Sequence, residues 1–218
     1  MKQDTALSDT TTHMPTLEAA SHGQRGPVEH ERRQQILEAA HGHFKTYGYA
    51  KTTVGDIAKT IGLSPAYVYK FFESKQAIGE TVVREALTTL TDELTVLARS
   101  EKPAATRLRQ IYRTLAERTA GMCFADRKIF DLAVVACDEK WQVITEYLAY
   151  LSDLIRAVVV AGREAAEFER KTPIAETTAA ILMTLEMFAR PTFLEQKLDD
   201  PVGQAEAMAN LVLRSLAP

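Results

Sequence analysis

The segment that most constrains the fold is TTVGDIAKTIGLSPAYVYKFFESK, Thr52 to Lys75, because it holds two short apolar patterns separated by a single Gly-Leu-Ser. Helices of only two or three turns are marginal in water on their own. Each of them must therefore be stabilised by packing against neighbouring helices. The segment predicts a fixed arrangement of short helices whose lengths are set by what they have to fit into.

Local signals predict where both short helices begin and end. Thr53, with Asp56 three residues later, has the pattern of a capping box at the start of the first helix. Gly62 is expected to end that helix in the left-handed conformation, because glycine has no Cβ to clash. Ser64 is the expected N-cap of the second helix, and Pro65 follows at its first position, where a missing N–H costs nothing.

The spacing of the apolar positions separates a buried face from an outward one. The residues predicted to point inward are Val54, Ile57, Ala58, Ile61, Val68 and Phe72, with Leu63 between the helices and Phe71 on the flank. The residues left facing away are Ala66, Tyr67, Tyr69 and Lys70. This is the helix-turn-helix design, in which the second helix is held where it fits the DNA major groove.

The outward residues carry groups suited to a DNA duplex. Thr53 and the free N–H groups at its helix start suit a phosphate, and Tyr69 offers a hydroxyl for phosphate and a ring for sugar. Ala66 suits a thymine methyl group and Lys70 suits guanine acceptors. The alternative is that these are merely solvated surface residues of a helical bundle. The predicted DNA-binding residues are Lys51, Thr53, Ser64, Pro65, Ala66, Tyr67, Tyr69, Lys70 and Lys75.

Amphipathic helices are predicted on both sides of this segment. Before it, an apolar stripe at spacings of three and four ends at Gly48. After it, Ser74 is a plausible N-cap for a fourth helix that runs to about Arg99. The residues of the first stripe are Ile36, Ala40, Phe44 and Tyr47.

The second half of the chain reads as longer helices, and nothing in it reads as a strand-rich sheet. One shorter helix is predicted over 126–137, and two more over about 173–190 and 201–216. The fold class predicted is all-α, with an N-terminal three-helix helix-turn-helix domain and a larger C-terminal helical bundle. The predicted division is a disordered N-terminal arm at 1–27, a DNA-binding domain at 28–75 and a C-terminal domain at 76–218.

The net charge and the composition narrow the classes of protein to which the chain can belong. The net charge of −3 argues against a protein that coats nucleic acid along its whole surface, but it allows a local basic face. No apolar run approaches the roughly 20 residues of a membrane span. The first 27 residues lack the apolar core of a secretion signal, so a cytoplasmic location is expected. Cys123 and Cys137 suit a reducing compartment and give no disulfide framework.

No enzyme, cofactor or metal site is predicted. A nucleophile–base pair, a Gly-rich phosphate loop and a carboxylate dyad are not discernible in the sequence. His41 and His43 lie two residues apart, so they diverge on a helix, and no cysteine or acid cluster joins them.

The helix-turn-helix segment, preceded by ILEAAHGHFKTYGYA, resembles the N-terminal domain of the tetracycline-repressor (TetR) family of bacterial regulators over about Arg33 to Ile78. The resemblance implies that Thr53, Tyr69 and Lys75 contact phosphates. The sequence departs from the family pattern at three positions, which bear on the operator sequence and on the turn after the second helix. This chain has Pro65 where the family often has a polar or basic residue, and Lys70 where histidine is common. The third departure is Glu73, which lies in the tight turn.

The same resemblance implies a C-terminal domain that binds a small molecule and forms a homodimer. The two predicted helices over 173–190 and 201–216 carry more apolar residues than are needed for packing along one face within the chain. They are therefore the expected dimer interface. The alternative is that they are two core helices of a monomer. Small residues expected to permit close approach are Ala179, Ala180, Ala205 and Ala209.

A ligand pocket is expected between the middle helices, lined by large and adaptable side chains that suit an apolar or aromatic effector. Polar anchors are expected among Tyr147, Glu186 and Arg190, and a redox switch at Cys123 and Cys137 is a minor alternative. The predicted ligand-binding residues are Met122, Phe124, Phe130, Trp141, Tyr147, Met183, Met187 and Phe188.

Together these patterns predict a homodimeric transcription regulator that binds a palindromic double-stranded DNA operator. Repression with release by a small, largely apolar effector is the expected mode, without a membrane partner. The alternative is a helical protein–protein adaptor that uses the helix-turn-helix as a scaffold and does not bind DNA.

Overall fold

A computed structural model describes residues 26–125, 127–193 and 199–218 of the chain, without the side chains of 123–125. Every regular element that it gives for these ranges is an α-helix, which confirms the all-α prediction. No helix within them is long and apolar enough to cross a membrane. The helices are α1 (Pro27–Tyr47), α2 (Val54–Thr60), α3 (Pro65–Val68), α4 (Lys75–Arg99), α5 (Ala104–Ala125), α6 (Arg127–Asp138), α7 (Gln142–Glu164), α8 (Ile174–Ala189) and α9 (Pro201–Ser215).

Except for the early end of α3, the helix bounds from α2 onward agree with the sequence pattern to within about two residues. The arm predicted at 1–27 lies outside the described residues up to residue 25, and α1 already begins at Pro27. The predicted boundary between residues 75 and 76 falls in the first turn of α4, which continues without a break to Arg99. The domain division therefore stays a prediction.

The predicted stripe of α1 is buried except at its last position. Ile36, Ala40 and Phe44 are fully buried against α2 and α4, whereas Tyr47 is 57% exposed, so its prediction as a core residue is wrong. The chain turns at Gly48, and Tyr49 takes the place beside Phe44, with ring centroids 5.3 Å apart. The periodicity of a helix does not extend beyond its last turn.

In the second half, α7 packs against α4, α5, α6 and α8. Its inward face includes Leu151, Leu154 and Ile155, each with no exposed surface. Helix α9 lies along α5. Ala205 and Ala209 of α9 are fully buried within the chain itself, so the prediction that they permit close approach of a second subunit is wrong.

Three tyrosines make the stability of this fold sensitive to alkaline pH. Burial raises the pKa of Tyr49, Tyr112 and Tyr150 to about 12 each, above the ordinary value of about 10. Because the folded state favours the neutral phenol, the stability these residues contribute is complete below about pH 10 and is lost as the pH rises to about 12. We expect the melting temperature, followed by circular dichroism, to fall across that window.

The variant Tyr112→Phe tests this assignment, because it removes one ionisable group and keeps the buried ring. Its melting temperature should fall less steeply between pH 10 and 12 than that of the unmodified chain. An equal slope in both proteins would contradict the contribution of Tyr112.

Candidate nucleic-acid interface and effector cavity

The start of α2 is fixed by the capping box that the sequence predicts. The Thr53 hydroxyl accepts a hydrogen bond from the Asp56 backbone N–H at 3.1 Å, and the Asp56 carboxylate accepts from the Thr53 backbone N–H at 2.9 Å. The Thr53 hydroxyl also donates to this carboxylate at 2.6 Å. These hydrogen bonds lower the pKa of Asp56. A phosphate at this helix start therefore has to share it with the Asp56 carboxylate.

The link to α3 also follows the local signals. Gly62 has a φ of 67°, which is the left-handed conformation that glycine adopts at no steric cost. The Ser64 hydroxyl accepts from the Tyr67 N–H at 3.2 Å, and Pro65 is the first residue of α3. Regular α-helix ends at Val68, four residues before Phe72, the last residue that the apolar pattern predicts on the inward face of this helix. Backbone hydrogen bonds of the helical type nevertheless continue as far as Phe72.

The recognition segment, Ser64–Lys70, shows a buried and an outward side. Val68 has no exposed surface and Phe72 is 3% exposed, whereas Tyr69 is 52% exposed. Tyr67 is half-buried, because its ring packs on Phe71 with centroids 5.3 Å apart. The remaining predicted DNA-binding residues that are exposed are Lys51, Thr53, Ser64, Pro65, Ala66 and Lys70.

Lys75 is not a freely projecting charge. It is half-buried at the first position of α4, where its ammonium group donates to the Tyr49 carbonyl at 3.0 Å and lies 4.2 Å from the centre of the Tyr49 ring. These contacts hold the ammonium near the turn before α2. The positive charge of Lys75 is therefore held in a fixed place beside this turn.

The local charge balance differs from that of the whole chain. Residues 26–75 contain seven lysines and arginines and five acids, a formal charge of +2, while the whole chain carries −3. A phosphate surface is therefore attracted to this end of the molecule in preference to the rest.

A cavity of about 40 Å³ lies between α4, α5, α6 and α7 and the end of α8. This space holds a few water molecules at most. Its wall is almost entirely aliphatic, and its polar members are Thr119, Cys137, Tyr147 and Arg190. The apolar residues that line it are Val82, Val83, Ala86, Leu87, Leu90, Met122, Ile129, Leu132, Ala133, Ile144, Leu148, Ala189 and Pro191.

The structure brings two of the predicted ligand-binding residues, Met122 and Tyr147, into this wall, together with the predicted anchor Arg190. Phe130, Trp141 and Phe188 are buried elsewhere in the core, and Met183 and Met187 are 73% and 41% exposed on the outer side of α8. The side chain of Phe124 lies outside the described residues. Sequence reasoning missed Cys137 and Leu132 as wall residues, because a helical seam does not reveal which of its positions border a gap.

Two minor sequence features have ordinary structural roles. Burial raises the pKa of the Cys137 thiol, which disfavours the reactive thiolate, and the side chain of Cys123 lies outside the described residues. The His43 ring shares a hydrogen bond of 2.7 Å with the Thr60 hydroxyl. No group of three or more potential metal ligands occurs in the part of the chain that the structure describes.

The capped helix-turn-helix with an exposed recognition segment, continued by α4 into a helical bundle, defines the class: a DNA-binding transcription regulator. Two family models match the chain and together span more than half of it. Residues 36–82 match the bacterial regulatory proteins of the tetR family, and residues 104–210 match the tetracyclin repressor-like C-terminal domain. The chain belongs to the TetR family.

The individual proteins that resemble this chain share only a modest sequence identity with it. The nucleoid occlusion factor SlmA of Haemophilus influenzae is 31% identical over 86 residues, which are 39% of this chain and 39% of that protein. The match thus spans about two fifths of the length of this curated relative. The fatty acid degradation regulator FadR of Bacillus halodurans superposes with a TM-score of 0.63 at 20% identity, covering 88% of this chain and 97% of that one.

A second solved structure is the transcriptional regulator FadR of Bacillus subtilis in complex with stearoyl-CoA. It superposes with a TM-score of 0.59 at 20% identity, covering 84% of this chain and 98% of that one. At this identity the two FadR structures show that the fold is shared.

Proposed function

We propose that the chain is a cytoplasmic repressor that binds a palindromic operator as a homodimer and is released by a small apolar effector. The observation that carries the proposal is the recognition segment, in which Val68 is buried, as is Phe72 just after the segment, while Tyr69 and Lys70 project. A two-fold dimer places two such segments on one side of the duplex. Segments about 34–36 Å apart meet successive major grooves. The proposed domains are 28–75 for DNA and 76–218 for effector binding and dimerisation.

The outer faces of α8 and α9 support the proposal that the chain forms a homodimer. Met183, Met187 and Leu211 are 73%, 41% and 61% exposed, and a contiguous exposed apolar surface is typical of an interaction site. Ala179 and Ala180 lie one turn before Met183, and Ala207 lies one turn before Leu211, and all three are exposed. Each helix therefore presents an outward stripe of small and large apolar residues. Pairing of these stripes about a two-fold axis forms a four-helix bundle.

The cavity supports the proposal that a small apolar effector binds to the chain. Its wall is apolar, and the solved FadR of Bacillus subtilis was captured with stearoyl-CoA, an apolar chain on a polar group. A molecule larger than a few waters fits only if the surrounding helices separate. Because α4 both lines the cavity and begins next to α3, such a separation changes the position of the recognition segment. This coupling requires a differential affinity of about 1–3 kcal/mol between the two conformations.

The turn between α6 and α7 is the proposed connection. Trp141, the last residue of this turn and the N-cap of α7, is 2% exposed and packs edge-on against Tyr49 with ring centroids 5.3 Å apart. Its indole N–H donates to Glu139 at 2.7 Å. A Cβ at Gly79 of α4 would lie 3.0 Å from the Trp141 ring, so the ring fills all the space there. A shift of α6 or α7 therefore reaches both α4 and the turn before α2.

Binding to DNA separates this proposal from the helical adaptor. We expect the full chain to bind its own upstream DNA in fluorescence anisotropy more tightly than a scrambled duplex of equal length. The affinity should fall with salt at a slope of about −0.9 in log–log units for each phosphate neutralised, which for Lys51, Lys70 and Lys75 in two copies gives a slope of about −5.

The variant Lys70→Ala should make that slope shallower by about two, one for each copy in the dimer. Lys102→Ala, an exposed lysine in the turn before α5, is the matched control and should leave it unchanged. Binding that is absent, or equal for both duplexes, would favour the adaptor.

A further inference from the structure

Two buried donor groups in the wall of the cavity are without a hydrogen-bond partner among the described residues. They are the Tyr147 hydroxyl and the Nε of Arg190. Tyr147 is 3% exposed, so its hydroxyl is closed off from bulk water. An unmade hydrogen bond of a buried group costs about 1–3 kcal/mol. Such a cost is removed if a ligand supplies an acceptor at this place.

Both residues line the same cavity, Tyr147 from α7 and Arg190 from the end of α8, and the polar wall residue Cys137 of α6 borders it as well. Arg190 follows the last residue of α8, where its guanidinium also pairs with Glu186 at 2.9 Å. Glu186 therefore holds the arginine in place while the Nε remains available.

The rest of the wall is aliphatic. Among the described residues that line it, Tyr147 alone has an aromatic ring, and the large members are leucine, isoleucine, valine and methionine side chains. Flat aromatic ligands are favoured by aromatic partners in offset or edge-on contact. Aliphatic walls of branched side chains instead suit a flexible hydrocarbon chain.

We propose that the effector is an aliphatic acyl compound whose acyl oxygen accepts hydrogen bonds from the Tyr147 hydroxyl and the Arg190 guanidinium, with its hydrocarbon chain among the leucines of α4 and α6. The inference rests on the proposed function, because it names the chemical class that fills the cavity. An acyl oxygen occurs both in a free carboxylate and in a thioester. The test therefore includes both forms.

Binding is measured on the full chain by isothermal calorimetry and by the fluorescence of Trp141, the single tryptophan of the chain. The probes are dodecanoate, dodecanoyl-CoA and 1-dodecanol, all kept below their micelle concentrations. We expect dodecanoate or dodecanoyl-CoA to bind at least about ten-fold more tightly than 1-dodecanol, since one hydrogen bond to a charged group is worth about that factor. Whichever of the two binds more tightly identifies the source of the acyl oxygen.

Two variants remove the donors one at a time. Tyr147→Phe and Arg190→Gln should each weaken binding of the acyl probe about ten-fold and weaken binding of 1-dodecanol, whose uncharged oxygen also accepts hydrogen bonds, by a smaller factor. Tyr147→Phe deletes only an unpaired hydroxyl, so its melting temperature should not fall, which keeps the test valid if Arg190→Gln proves unstable. Arg156→Gln, an exposed arginine on α7, is the matched control and should change nothing.

Equal affinity for the acid, the thioester and the alcohol, or no binding of any acyl probe, would overturn the inference. Operator binding is measured on the same preparation. A chain that binds its operator but not the acyl probes refutes the effector class alone. A chain that binds acyl probes but no operator refutes the proposed function and leaves the acyl site standing.

Discussion

Replacing Tyr69 with alanine is expected to weaken operator binding by at least about 100-fold while leaving the fold intact. The ring is half exposed and directly follows α3, so little buried contact is lost from the folded chain. A hydrogen bond to a charged group contributes about 1.5–3 kcal/mol, and a dimer loses two of them, one in each recognition segment. The measurement is fluorescence anisotropy on upstream DNA at fixed salt, with circular dichroism to verify folding.

Tyr47→Ala is the matched control for this substitution. Tyr47 is a tyrosine of similar exposure, 57% against 52% for Tyr69, but it lies at the end of α1. We expect it to leave operator affinity unchanged. Tyr69→Phe should give an intermediate loss, because the ring remains to contact sugar while the hydroxyl is gone. Unchanged affinity in Tyr69→Ala would remove this residue from the interface.

Replacing Trp141 with alanine is expected to lower the free energy of unfolding by about 3–5 kcal/mol. The side chain is one of the largest fully buried groups, and its loss opens a gap between Tyr49 of the DNA-binding end and Gly79 of α4. For a chain of this size the loss corresponds to a fall in melting temperature of about 6–20 °C. Thermal and urea unfolding at one protein concentration measure it, since dimerisation also affects stability.

Trp141→Phe separates packing from the specific polar contact. Phenylalanine keeps an aromatic edge for Tyr49 but removes the indole N–H that donates to Glu139. Its expected cost is smaller, about 1–2 kcal/mol. A cost for Trp141→Ala below about 1 kcal/mol would mean that the gap is refilled by neighbouring side chains, and the connection between α6, α4 and the turn before α2 would then not depend on this ring.

The helix-turn-helix was predictable because its signals are local. A serine or threonine followed by an acid, a glycine at a left-handed position and a proline at a first helical position each act within a few residues. The hydrogen bonds of Thr53 and Ser64 and the φ of Gly62 agree with these signals. The prediction that Tyr47 is buried was wrong because the sequence does not show how the chain turns after the end of a helix.

The cavity was far less predictable, because an apolar residue at helical spacing has the same pattern whether it meets core, gap or partner. Met183 and Phe188 of α8 were both predicted to line the pocket, yet one is 73% exposed and the other is buried in the core. Trp141 has the size of a ligand contact but fills the space between two parts of the fold. Arg190 was named as an anchor from its chemistry alone, and its position in the wall depends on where α8 ends.

The two halves of α4 are held differently, and this has a mechanical consequence. The Tyr150 hydroxyl donates to the Thr91 carbonyl at 2.6 Å and shares a hydrogen bond of 2.7 Å with the Thr95 hydroxyl, which fixes the distal half of the helix to α7. The proximal half borders the cavity, and its side-chain tie to α7 is the ion pair of Arg84 with Glu146, which is partly exposed to solvent. From that fixed point to Lys75 the helix is about 27 Å long, so a tilt of about 5° moves its first turn by about 2 Å. Under the proposed release by an effector, we therefore expect α4 to pivot about its contact with Tyr150, so that a small widening of the cavity gives a larger displacement at Lys75.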